Sequence, residues 1–323
     1  MIPSEDFRKV AHFLKNQQKV AILCHYNPDG DAVGASLALR LALKALGVDV
    51  ALFNQSKIPK RFYFLSGAEE FQQSLSSDSF DCCIVCDCGE LERIGESFVE
   101  FANGLDIVNI DHHHSNEQFG SFNLVDPTAS STSIIAYNLI DALGVEITPD
   151  IATCLLVGLT TDTGSFRFPN TDPTTFRAAA DLMEKGADLS EICRNVYESK
   201  SLASVKLWAE ALGNVQFQFD GKVAELVVSK EMLDRYGASL DDVEGLVEEG
   251  RNIENVDISV LYKQDEGLWR VSLRSSDTKH DLSKIATCFG GGGHKAAAAF
   301  RSSLALDELQ AKLREKLQKE ITC

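Results

Sequence analysis

The first clear pattern in the chain is Lys19–His25 (KVAILCH), an apolar run that stops at Asn27-Pro28-Asp29-Gly30, as a strand buried on both faces would. From Asp31 to Gly47 the apolar positions recur at helical spacing, and Val48–Phe53 returns to a short strand-like run. Phe80–Asp87 (FDCCIVCD) and Leu105–Asp111 (LDIVNID) read as two more strands, each ending on an acidic residue. Ser131–Leu143, Asp150–Asp162 and Pro173–Lys185 carry helical periodicity. Strands alternating with helices predict an α/β unit, a parallel sheet with helices on both faces.

Beyond about residue 200 the texture changes. Val215–Ser229 (VQFQFDGKVAELVVS) alternates on either side of Asp220-Gly221, a strong hairpin signal. Val256–Tyr262 and Leu268–Arg274 read as strands, and helices are expected from Asp281 and from Leu306. That is a smaller α+β domain. The pattern predicts a first domain over 1–190, a helical linker over 191–212 and a second domain over 213–323, with the active site in the cleft between the domains.

Composition narrows the classes of function. No run of eighteen apolar residues is present, so no membrane span is expected, and the N-terminal segment lacks the basic-then-apolar layout of a signal peptide. Nine cysteines without an export signal fit reduced thiols in a cytoplasm. Lys and Arg number 31 against 48 Asp and Glu, a net charge of −17. Proteins that live on long nucleic acid usually present a basic face, so this balance argues against a polymeric partner. A short anionic ligand is still compatible, provided metal ions and a few local cations supply positive field.

Four segments offer hard metal ligands near strand ends or helix termini: His25-x3-Asp29-x-Asp31, Asp87, Asp111-His112-His113, and Asp162. In open α/β sheets the ligand site lies beyond the carboxyl ends of the strands, where such segments converge. Each has an ordinary alternative, since Asp29 and Asp31 also suit a helix N-terminus and three histidines can form a polar loop. Together they supply carboxylates and imidazoles suited to a divalent ion such as manganese. Six ligands are too many for one ion with open positions, but fit two ions sharing a bridging carboxylate, an arrangement that clamps a phosphoryl group.

Three segments here, His25–Gly34 (HYNPDGDAVG), Asp111-His112-His113 and Gly158–Gly164 (GLTTDTG), resemble the signatures of the DHH phosphoesterase superfamily. Phe289–His294 (FGGGGH) resembles the hallmark of its DHH-associated C-terminal domain. The match runs along essentially the whole chain, and its length is similar to that of the bacterial nanoRNase/pAp phosphatase branch. The resemblance implies hydrolysis of very short oligoribonucleotides and of nucleotide bisphosphates such as 3′-phosphoadenosine 5′-phosphate. It implies two divalent ions, manganese foremost, with magnesium or cobalt as alternatives. By motif, His25 and Asp29 would hold one ion, Asp31 and His112 the other. Asp87 would bridge them, and Asp162 would complete the shell of the first. His113 would touch the scissile phosphate or the leaving oxygen, with Asp111 orienting the histidines. The first domain would thus be the catalytic, metal-binding one and the second would bind substrate. Long nucleic acid and membranes are excluded as partners, and a homodimer is allowed.

The glycine run Gly290–Gly293 followed by His294 admits close approach of backbone N–H groups to an anion, so Gly291, Gly292, Gly293 and His294 are substrate-binding candidates. Arg274, at a strand end, joins them as a phosphate partner. Two departures from the family pattern stand out: His114 where proline is common, and Ala299 where glycine would allow a positive φ. Ser130-Ser131-Thr132 reads chiefly as a helix cap. Cys82, Cys83, Cys86 and Cys88 lack the second paired motif a structural zinc needs and are expected in the core, and His280 is expected at the surface. The competing readings are a linear or cyclic dinucleotide phosphodiesterase, an inorganic pyrophosphatase (disfavoured by His113 and the glycine run), a longer processive exonuclease, and a nucleotide-binding regulator without catalysis.

Overall fold

The computed structural model describes residues 2–75, 79–275, 279–293 and 295–321. The chain packs as two units, Met1–Ser199 and Lys200–Cys323. Among the described residues no helix is long and apolar enough to cross a membrane.

The first unit runs α1 (Ser4–Lys15), β1 (Lys19–Cys24), α2 (Gly30–Ala45), β2 (Asp49–Phe53), β3 (Cys82–Cys86), α3 (Glu96–Asn103), β4 (Asp106–Asp111), β5 (Phe122–Val125), α4 (Thr132–Leu143), α5 (Pro149–Asp162), α6 (Pro173–Glu184) and α7 (Leu189–Val196). Its five strands form a parallel sheet in the order β2-β1-β3-β4-β5. Side chains alternate across the pleat. Val20, Ile22, Cys24, Ile84 and Val108 therefore pack with α1, α2, α4 and α5, while Leu23, Val85 and Ile107 face α3 and the turn Leu91–Ile94. Helices lie on both faces, as the alternation predicted. The same pleat sends Cys82 and Cys86 to one face and Cys83 to the other, all buried, so the cysteine cluster is core and cannot share one ion.

Helix α2 is buried almost all round, because it lies between the sheet and α4 and α5. Two glycines permit the approach. A Cβ on Gly34 would run into the backbone carbonyl of Cys154 in α5, and one on Gly158 would run into the hydroxyl of Ser133 and the carboxylate of Asp31. The small residues thus bring the N-terminus of α2 and the C-terminal part of α5 together, which sets Asp31 and Asp162 near each other.

The second unit runs α8 (Leu202–Gly213), β6 (Gln216–Gln218), β7 (Val223–Val228), α9 (Lys230–Tyr236), α10 (Leu246–Arg251), β8 (Ile258–Asp265), β9 (Leu268–Ser275), α11 (Leu282–Thr287), β10 (Gly292–Gly293), β11 (Ala297–Ser302) and α12 (Leu306–Ile321). The sheet order is β10-β11-β9-β8-β7-β6, antiparallel except for β7 against β8. Helices α11 and α12 cover one face, and α8, α9 and α10 the other. Inside this unit Glu225, 1% exposed, receives the guanidinium of Arg314 from α12 through Nε at 3.0 and 3.2 Å and through Nη2. The 191–212 stretch, expected to link the domains, holds most of α7 and most of α8, and α8 packs with the second unit. His280 is a correction: it is 2% exposed rather than at the surface, because its ring packs beside Asp257, with Nε2 4.0 Å from that carboxylate.

Candidate metal centre

The first unit gathers its polar buried groups at the carboxyl ends of β1, β3 and β4 and at the termini of α2, α4 and α5. His25 follows β1 directly, and its Nδ1 lies 3.1 Å from the Tyr26 carbonyl oxygen, which turns Nε2 inward. Asp29 caps α2, its Oδ1 accepting from the Asp31 and Ala32 amides at 3.0 and 3.1 Å. The helix-terminus role and the candidate ligand role fall on the same residue, so the two sequence readings were not alternatives. Asp87 follows β3 with φ 61°, a left-handed conformation that an aspartate tolerates better than most residues, and its amide donates to the Ile110 carbonyl at 2.9 Å.

Three groups of ligand atoms draw together: His25, Asp29 and Asp87; Asp31, His112 and Asp162; and Asp87, His112 and His113. His25 Nε2 is 3.8 Å from Asp29 Oδ1 and 3.6 Å from Asp87 Oδ2. His112 Nε2 is 3.7 Å from Asp87 Oδ1 and 3.6 Å from Asp162 Oδ2. These are too long for hydrogen bonds. Two ligands each about 2.1 Å from a small divalent ion, at a right angle, stand about 3 Å apart, so the spacings suit a shared cation with slight contraction. Asp87 belongs to two of the groups, the geometry a bridging carboxylate needs. Asp162, in contrast, groups with Asp31 and His112, not with His25 and Asp29 as the motif transfer implied. The close α2–α5 packing at Gly34 and Gly158 is the reason.

The surrounding hydrogen bonds fix this arrangement. Asp31, fully buried, accepts the Thr132 and Ser133 amides of the α4 N-terminus at 2.6 and 2.9 Å. The Thr132 hydroxyl donates to Asp87 Oδ1 at 2.8 Å. Within Ser130-Ser131-Thr132, Ser131 is the cap, accepting from Ile134, whereas Thr132 serves the acidic cluster. His112 Nδ1 lies 3.3 Å from the Ala129 carbonyl oxygen. His113 Nδ1 is 2.6 Å from Asp111 Oδ1, whose other oxygen accepts from Asn116 Nδ2 at 2.6 Å. Asp111 therefore orients His113 and leaves its Nε2 as the ring's outward atom. Asn116, which no sequence signal marked, holds Asp111 in turn.

Charge in the cluster is unevenly shared. Burial opposes ionisation of Asp87, yet His25, His113 and His112 hold it well below the usual carboxylate range. Burial and the neighbouring Asp87 push Asp31 up to about 7. Burial, with Asp31 and Asp87, raises Asp162 well above its ordinary value. Burial disfavours the charged form of His25, but Asp29 and Asp87 outweigh it and raise the ring well above its usual value. Such a concentration of buried carboxylates is what a divalent cation would relieve, so the donor set fits a metal.

The remaining candidates lie in the second unit. Arg274, on β9, donates from Nε to Glu248 at 3.0 Å and from Nη1 to the Leu273 carbonyl at 3.0 Å, so it is already paired. The glycine run is partly strand: Gly292 and Gly293 pair with Ala299 and Ala298. Gly290 at φ 75° and Gly293 at φ 137° need glycine's freedom, and Gly291 packs too tightly against Ala299 and Phe300 for a Cβ. Ala299 sits in extended strand β11, where no positive φ is required, so the alanine there carries no strain. His294 lies outside the described residues.

Residues 19–159 match the DHH family, N-terminal domain, and residues 220–319 match the DHHA1 domain. The chain is 37% identical over 98% of its length, and 95% of the relative's, to the bifunctional oligoribonuclease and PAP phosphatase of Thermus thermophilus. Its fold is similar to that of an exopolyphosphatase-related protein from Bacteroides fragilis, with TM-score 0.89 and 27% identity over 98% of this chain and 96% of that one. The manganese complex of RecJ from Thermus thermophilus shares the fold, with TM-score 0.60 and 14% identity over 98% of this chain and 55% of that one. With its candidate acidic and histidine ligands set at strand and helix ends of the first unit, the chain belongs to the DHH family, a DHH N-terminal domain followed by a DHHA1 domain.

Proposed function

We propose that the chain is a metal-dependent phosphohydrolase acting on very short oligoribonucleotides and on 3′-phosphoadenosine 5′-phosphate. The observation that carries this reading is the convergence of His25, Asp29, Asp31, Asp87, His112 and Asp162, with Asp87 common to two ligand groups. The T. thermophilus relative, named for both activities, supports the choice of substrate.

The residues would hold two divalent ions, manganese first among them, with His25, Asp29 and Asp87 on one side and Asp31, His112, Asp162 and Asp87 on the other. Ions bound there supply Lewis-acid stabilisation of phosphoryl oxygens and lower the pKa of a nucleophilic water. The chain's own part is to orient and to move protons. The Asp111 carboxylate accepts from His113 Nδ1 and, with Asp87, outweighs burial to raise the ring above its usual value, so the protonated ring can donate from Nε2 to the scissile phosphate or to the departing oxygen. Asn116 and Thr132 keep Asp111 and Asp87 from turning away. Gly291, Gly292, Gly293, His294 and Arg274 are assigned to substrate binding, with Arg274 exchanging Glu248 for a phosphate.

The net charge of −17 supports a short substrate, because each further nucleotide adds phosphate without a cationic partner. The test is purified protein with manganese assayed in parallel on 3′-phosphoadenosine 5′-phosphate, a dinucleotide, a twenty-mer and pyrophosphate. The first two should be hydrolysed far faster than the others. Preference for the twenty-mer or for pyrophosphate would overturn the reading.

A further inference from the structure

Arg93 stands out in a chain with so many acidic residues. It lies on the turn Leu91–Ile94, between Asp87 and α3, and among the described residues its guanidinium meets no carboxylate. Its partner is Tyr26, the residue after the candidate ligand His25. The guanidinium carbon lies 4.5 Å from the centroid of the Tyr26 ring, and Nη1 donates to Tyr26 Oη at 3.1 Å. The backbones are tied as well, the Tyr26 amide donating to the Arg93 carbonyl at 2.8 Å.

Two consequences follow from that clamp. Cation–π stacking and the Oη contact hold an otherwise flexible side chain in one orientation, which reduces the entropy lost when it binds a ligand. Only one of five guanidinium N–H donors is used by Tyr26, leaving a prearranged fork for an oxyanion. Tyr26 Oη accepts from Arg93 and keeps its own proton to donate beside it. The pair is also close to the acidic cluster: His25 Nδ1 touches the Tyr26 carbonyl at 3.1 Å.

We propose that Arg93, set in place by Tyr26, binds the phosphate of the substrate that is not being cut, and so determines preference for nucleotides carrying two phosphates. The inference rests on the phosphohydrolase reading above. It gives the first unit a substrate-specificity residue of its own, separate from the metal ligands.

The experiment compares wild type, Arg93→Gln, Arg93→Lys and Tyr26→Phe on 3′-phosphoadenosine 5′-phosphate and on adenosine 3′-monophosphate, with saturating manganese. Arg93 is exposed, so its variants should fold, and melting temperature and manganese uptake check this. Arg93→Gln should cut the bisphosphate-to-monophosphate ratio of kcat/KM by roughly 10–100-fold, mainly through KM. Arg93→Lys should recover part of that ratio, because it restores charge without the fork, and Tyr26→Phe should lose less than Arg93→Gln. Equal losses on both substrates, or an unchanged ratio, would overturn the proposal. If wild type hydrolyses neither compound, the phosphohydrolase reading fails instead. Calorimetric titration of the manganese-loaded protein with both compounds then tests the subsite alone: Arg93→Gln must weaken the bisphosphate selectively, and equal binding by the variant would sink it.

Discussion

Thr132→Val is the substitution that probes the architecture of the metal centre most narrowly. Valine keeps the shape of a buried side chain and the amide that donates to Asp31, and removes only the hydroxyl that donates to Asp87 Oδ1 at 2.8 Å. A hydrogen bond to a charged group contributes about 1.5–3 kcal/mol, or roughly 10–150-fold in an equilibrium constant. Some of this is recovered as Asp87 turns toward His25 and His113. The loss in manganese affinity should therefore fall at about 10–100-fold, the usual cost of removing a group that orients a ligand. Excess manganese should restore most of kcat, since no ligand atom has been deleted. Calorimetry gives the affinity, and initial rates across a manganese titration give the activity. Wild-type half-saturation in a folded variant would refute the idea that Thr132 holds Asp87 for metal. A rate loss that manganese cannot repair would refute it too.

Asp111→Asn should lower kcat by roughly 10²–10⁴-fold with manganese binding nearly intact, because His113 loses the negative charge that orients its ring and favours its protonated form; steady-state kinetics beside a manganese titration checks this. Arg314→Leu should destabilise the second unit by about 3–5 kcal/mol by leaving Glu225 buried and unpaired, read from denaturant unfolding; a change below about 1 kcal/mol would contradict that reading. In the metal-free protein burial and the neighbouring Asp87 push Asp31 up to about 7, so at about pH 6 it keeps a proton that a cation must displace. Manganese binding should thus release protons there and tighten as pH rises through about 7. Calorimetry in buffers of different ionisation heat measures the release, and pH-independent binding would contradict it.

Local patterns disclosed much of this molecule. The strands of the first sheet, and its order of alternation with helices, follow from apolar runs ending on Asp87 and Asp111 and from the turn after His25. Ligand types were legible for the same reason, since they sit at strand ends that punctuation marks. Pairing was not. Asp162 joins Asp31 and His112 because Gly34 and Gly158 let two helices touch, a fact of packing that spacing along the chain does not carry. The parallel pairing of β7 with β8, short edge strand β5 and the β10–β11 ladder depend on long-range partners. Helix α1 carries a readable signal in Phe7, Val10, Ala11 and Leu14, which share one buried face. Asn116 and Thr132 act through side-chain bonds to residues far away in sequence or in a different element, and their residue types alone suggest turns and caps.

The central claim is that hydrolysis runs on divalent ions held around Asp87. The most direct measurement is manganese stoichiometry and turnover of a dinucleotide, followed together as metal-free protein is titrated, in wild type and in Asp87→Asn. The account predicts no turnover in the metal-free protein, activity that rises with uptake of two ions per chain, and loss of both uptake and activity in the variant. Turnover by protein shown by elemental analysis to be metal-free, or two ions bound and full activity in Asp87→Asn, would contradict it.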